Sequence, residues 1–136
     1  MTKDLQREAI LRYAQEKWGT EPEYPWAKYP NYAILRRNDN RKWYAVFLEV
    51  PKDKLGLSGK ELVDILDVKL DQRLIGSLLG SRGYLPAYHM NKSSWIGLLL
   101  DGSIPPEEIA QLVELSFELT APKKRRSFRG DSDALF

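Results

Sequence analysis

Ser94 to Leu100, reading SWIGLLL, constrains the fold more than any other stretch. It is long enough for one strand, and its apolar residues fill both alternating sets. Trp95 and Leu99 point one way with Gly97 between them, while Ile96, Leu98 and Leu100 point the other way. A strand apolar on both faces is normally central in its sheet and must be covered on both sides. Asp101-Gly102 then ends it as a turn. The surrounding segment, Gly83 to Pro105, also carries the only histidine of the chain, His89, a basic turn and the lead-in to the last helix.

The rest of the chain supplies the partners. Leu5, Ala9, Ile10, Tyr13, Ala14 and Trp18 recur at helical spacing and predict a helix over Asp4 to Trp18, capped by Thr2 or Asp4 and stopped at Gly19. Pro22, Pro25 and Pro30 forbid a helix in the next stretch and hold Tyr24, Trp26 and Tyr29 on a stiff extended loop. Such rings either stack on a ligand or pack over the edge of the core. Alternation then predicts a hairpin of Tyr32–Arg37 and Lys42–Val50, turning at Asn38-Asp39-Asn40, residue types that tolerate left-handed backbone.

A half-exposed strand is expected over Leu62 to Leu70, with Leu66, Val68 and Leu70 inward and Asp67 and Lys69 outward, although Glu61 to Leu66 also suits a helical turn. Asp71 is a good cap for a short helix over Gln72 to Leu79 that ends at Gly80. Pro105-Pro106 can only begin a helix, with Glu107 and Glu108 in its first turn and Ile109, Leu112, Val113, Ser116 and Leu119 as its buried stripe.

Charge is unevenly placed. Five of the 21 basic residues and two of the 19 acidic ones follow residue 122, leaving 16 against 17 before it. The net charge of +2 therefore belongs to a flexible basic tail at 122–136, and the single domain expected over 1–121 is nearly neutral. There is no cysteine, which excludes disulfides and thiolate metal sites and suits a cytoplasmic location. No apolar run is long enough to span a membrane.

The chemistry of catalysis is sparse. His89 has no cysteine or GxSxG serine to activate and no acid nearby in sequence, and neither GxxxxGK[ST] nor GxGxxG occurs. No catalytic residue, metal ligand or cofactor is expected, and the chain reads as a non-enzyme.

The segment His89-Met90-Asn91-Lys92, with Trp95 in the following strand, Leu100-Asp101-Gly102 and the serine-bearing last helix, resembles the MmcQ/YjbR family of small bacterial proteins. The loop Glu23-Tyr24-Pro25-Trp26 and the strand around Val68-Lys69-Leu70 are similar to it as well. The resemblance covers about residues 1–121. It implies an α+β fold with an antiparallel sheet flanked by helices, a two-layer arrangement likened to frataxin and secretion chaperones and called a double wing. Its members are assigned to DNA binding on the strength of shape, and fold alone does not establish function. No catalytic residues come with the resemblance.

Three readings of function follow. In the first, Arg36, Arg37, Arg41 and Lys42 around the hairpin tip meet DNA phosphates together with Lys92, and Asn91 touches a base edge. Six to eight such contacts weaken binding about 10³-fold or more between 50 and 200 mM salt. The same charges also serve to keep an exposed hairpin soluble and unpaired. In the second, the sheet face or a patch of Trp26, Trp43, Tyr44 and Tyr88 docks another protein. In the third, a small ligand sits near Tyr88, His89 and Asn91, residues that otherwise serve only to hold the entry to the strand. Tyr88, His89 and Trp26 are the candidate contacts of the second and third readings, and a monomer is the expected state.

Overall fold

A computed structural model describes residues 3–122, so the basic tail beyond Pro122 and the proposed cap Thr2 lie outside the described residues. The elements run α1 (Lys3–Trp18), β1 (Ala33–Arg36), β2 (Trp43–Pro51), a 3₁₀ turn (Lys52–Leu55), β3 (Leu62–Lys69), α2 (Gln72–Leu78), β4 (Tyr84–Pro86), β5 (Trp95–Leu99) and α3 (Pro106–Leu119). The strands form one sheet in the order β1-β2-β3-β5-β4, and every neighbouring pair is antiparallel. This is the α+β fold that the sequence implied.

All five residues of β5 are buried, as a strand apolar on both faces requires. The middle position nevertheless belongs to β3. The short strand β4 pairs outside β5, placing Tyr84 opposite Leu98 and Pro86 opposite Ile96. A segment of three residues ending in proline has too little pattern to be read as a strand, and the sheet edge suits its missing amide.

One face of the sheet packs on the helices. Leu35, Phe47, Leu66, Val68, Ile96 and Leu98 meet Ile10 and Ala14 of α1, Ile75 of α2, and Ile109, Leu112 and Val113 of α3. Ser116 ties α3 down: its hydroxyl accepts from the Lys69 amide at 2.9 Å and donates to the Tyr44 carbonyl at 2.6 Å. The buried side of α1 is rotated from the expected stripe. It runs through Gln6, Ile10 and Ala14, while Ala9 is exposed. Polar partners permit this, since Gln6 accepts from the Gly102 amide and Arg7 pairs with buried Asp64 at 3.3 Å.

No α-helix among the described residues covers the opposite face. Val46, Leu48, Val50, Trp95, Val63, Ile65 and Leu99 are covered there by the 21–32 loop, the 87–92 segment and the 3₁₀ turn with its neighbour Leu57. Because that layer exists, β3 is not half-exposed, and Asp67 is 0% accessible. The hairpin turn also departs from expectation. The left-handed residue is Arg41, at φ 63°, rather than one of the asparagines before it.

Candidate functional site

The loop layer is fastened at Glu23. Its amide and carbonyl exchange hydrogen bonds with Ile34 at 3.0 and 2.9 Å, which anchors the proline-rich stretch to β1. From this anchor the loop folds back over the sheet, with Tyr29 N–H donating to the Trp26 carbonyl and Tyr32 N–H to the Tyr29 carbonyl. The rings then form walls. Trp26 meets Tyr32 edge-on at 6.0 Å and 80°, and Trp43 at 6.1 Å and 83°. Tyr29 lies flat on Tyr32 at 4.7 Å.

The 87–92 segment supplies the opposing wall. His89 sits at φ 66°, a left-handed conformation that costs a side-chain-bearing residue free energy and often marks functional loops. Its ring rests against Tyr88 at 4.1 Å. Asn91 closes the segment, its side-chain oxygen accepting from the Ser93 amide and hydroxyl at 2.9 and 2.7 Å while its carbonyl accepts from the Trp95 amide. Between the walls is a pocket of about 280 Å³, lined by Trp26, Tyr29, Tyr32, Trp43, Tyr88, His89 and Met90 and floored by Val46 and Leu48. Trp26, Tyr88 and His89 thus come together from loops some sixty positions apart in the chain. Tyr44 does not join them. It is buried on the helix side, donates its hydroxyl to Thr20 at 2.7 Å and has its pKa pushed up to about 12 by burial.

Beneath this pocket lies a group the sequence placed in solvent. Asp67 is paired with Val46, a floor residue, on one side and with Gly97 on the other. Among the described residues neither carboxylate oxygen has a hydrogen-bond partner. Burial pushes its pKa up to about 8, opposed by the nearby Tyr88 amide and the Lys92 charge. Neither sequence pattern nor charge marks it, because Asp67 looks like the polar half of an ordinary alternation.

The basic hairpin is not a free cationic wing. Arg37 is buried; it donates to Asp39 at 2.8 Å and to the Phe117 carbonyl at 2.5 Å, and its guanidinium lies 3.9 Å from the centre of the Phe117 ring. Arg36 Nε is 3.1 Å and Arg41 2.5 Å from the Glu23 carboxylate. Arg36 also lies 5.8 Å over Trp43. Their positive charge is partly offset by two acids, Glu23 and Asp39, that are distant or unremarkable in the sequence. Lys42 remains exposed beside Trp43, and Asn91 and Lys92 remain exposed beyond Met90.

The fold is an open antiparallel sheet with helices on one face and an aromatic-lined pocket under loops on the other. The chain belongs to the YjbR family, whose model matches residues 15–119. The uncharacterized protein YyaQ of Bacillus subtilis is 46% identical over 116 residues, covering 85% of this chain and 98% of its own. A crystal structure of a Pseudomonas syringae protein, also 46% identical, superimposes with a TM-score of 0.82 over 85% of this chain and 98% of that one. A Deinococcus radiodurans protein shares the fold at 20% identity and a TM-score of 0.61, covering 87% of this chain and 77% of its own. No helix among the described residues is long and apolar enough to cross a membrane.

Proposed function

We propose that the chain is a non-catalytic binding domain that takes an unpaired base of single-stranded DNA into the aromatic pocket, with Lys42 and Lys92 meeting the flanking phosphates. The observation that carries this reading is the convergence of Trp26, Trp43, Tyr88 and His89 on one apolar pocket beside the exposed lysines. Binders of single strands combine stacking rings with a few cations, so a nearly neutral domain is no obstacle. Duplex binding by the hairpin is less well supported, since Arg36 and Arg41 share Glu23 and Arg37 is buried.

Tryptophan fluorescence tests this directly. Titration with a short thymidine oligonucleotide should quench the emission more than a duplex of equal length does. Two phosphate contacts weaken single-strand binding only about sevenfold between 50 and 200 mM salt. Trp26→Ala should weaken it by about 1–3 kcal/mol, the usual contribution of one stacked base. Residues 1–121 alone should bind as the full chain does, and binding that vanishes with the tail would overturn the reading.

A second reading has its own support. The 16 to 17 balance of charge before residue 123 suits a pocket that receives an apolar or aromatic side chain of another protein. Binding of that kind would be insensitive to salt and blind to the oligonucleotide.

A further inference from the structure

Asp67 is an expensive residue to keep where it is. The other buried acid among the described residues, Asp64, has Arg7 for a partner, and buried Arg37 has Asp39. Asp67 has no ion pair and no well-formed hydrogen bond among the described residues, the Tyr88 amide only approaching it. An unpaired buried carboxyl costs stability, and a leucine would avoid that cost.

Its surroundings are specific. Val46, opposite it on β2, is part of the pocket floor, and Gly97, opposite it on β5, leaves the space that the carboxyl occupies. The backbone carbonyl of Leu85 on β4 borders the same space. Above it the Tyr88 amide and the Lys92 ammonium both favour the ionised form. The other charged or titratable groups nearby are Lys69 two residues along β3, and Tyr88 and His89 in the covering segment. The facing positions Val46, Leu85, Pro86 and Gly97 carry no charge.

We propose that Asp67 is a positioning residue for the pocket: while protonated it leaves Lys92 free at the rim, and when it ionises it draws Lys92 and the 88–92 wall inward. This rests on the pocket being the binding site. Its consequence is that binding of a phosphate-bearing strand is linked to retention of one proton. Lys92 serves the ligand in one state and Asp67 in the other. The chemistry needs no further group, because a buried carboxylate with an exposed ammonium nearby gains more from that cation than from water it cannot reach.

Two measurements test it on the full chain. Backbone amide resonances of Tyr88 to Lys92, followed from pH 6 to 9.5 without ligand, should shift together in the wild-type protein and should lose that transition in Asp67→Asn. A titration shared by both proteins belongs to groups other than Asp67, and amides that move identically in the two overturn the proposal. If Asp67→Asn does not fold, absence of a common transition in the wild-type amides alone overturns it. The second measurement is affinity for the thymidine oligonucleotide. Wild-type affinity should fall with pH across the transition, by at most tenfold per unit for one linked proton. Asp67→Asn should bind tightly and evenly throughout, and Lys92→Ala weakly and evenly. An equal pH slope in wild type and Asp67→Asn overturns the proposal. Should the oligonucleotide bind neither protein at any pH, the DNA reading fails, and the amide titration still decides the role of Asp67.

Discussion

Asp67 and Gly97 face each other across β3 and β5, and the carboxyl fills the space that a side chain at 97 would need. A Cβ at position 97 would stand 3.3 Å from Asp67 Oδ1 and 3.4 Å from the Leu85 carbonyl oxygen. The pair explains why a glycine interrupts an otherwise continuous apolar strand.

Gly97→Ala should therefore destabilise the protein by roughly 1–3 kcal/mol through overpacking. Urea unfolding of the single and double variants measures the coupling. In the Asp67→Ala background the same substitution should cost less, because the alanine vacates the crowded space. Equal costs in the two backgrounds would mean that Ile65 and the Leu85 backbone, not Asp67, set the limit.

The raised pKa of Asp67 carries a sign that can be checked. The unfolded carboxyl loses its proton near pH 4, about the value of free aspartate, and the folded one keeps it to about 8. Within that window the folded state binds more protons, so raising the pH removes stability, by up to about 1.4 kcal/mol per unit from this group. Other acids contribute their own slopes, and the difference between wild type and Asp67→Asn isolates this one. The asparagine variant should gain stability relative to wild type as the pH rises from 5 to 8, measured by denaturant midpoints.

The basic candidates should separate into two kinds. Arg37→Ala removes hydrogen bonds to Asp39 and Phe117 and should cost roughly 2–3 kcal/mol of stability. Lys42→Ala and Lys92→Ala should stay within about 0.5 kcal/mol of wild type, as exposed substitutions usually do. Thermal unfolding compares all three, and a neutral Arg37→Ala would return that residue to the candidate phosphate contacts.

Ser116→Ala should cost about 1–3 kcal/mol, since it leaves the Lys69 amide and the Tyr44 carbonyl without their shared partner. Hydrogen exchange at the Lys69 amide gives a local reading, with faster exchange expected in the variant.

Much was legible along the chain. Apolar residues at both parities of Trp95 to Leu99 required a covered strand, helical spacing located α1, α2 and α3, and prolines kept 21–31 out of regular structure. Periodicity and turn chemistry are local properties, and the sequence by itself determines them. It also singled out Trp26, Tyr88 and His89, because unusual residues on loops stand out without any knowledge of their neighbours. Tertiary structure decided everything that depends on which distant groups meet. Glu23 pairs with both Arg36 and Arg41, Asp39 and the end of α3 bury Arg37, and a layer of loops turns the outward face of β3 into an interior. Asp67 is the clearest case. Alternation assigns a side chain to a face of its strand, but only the packing of other segments determines whether that face meets water or rings.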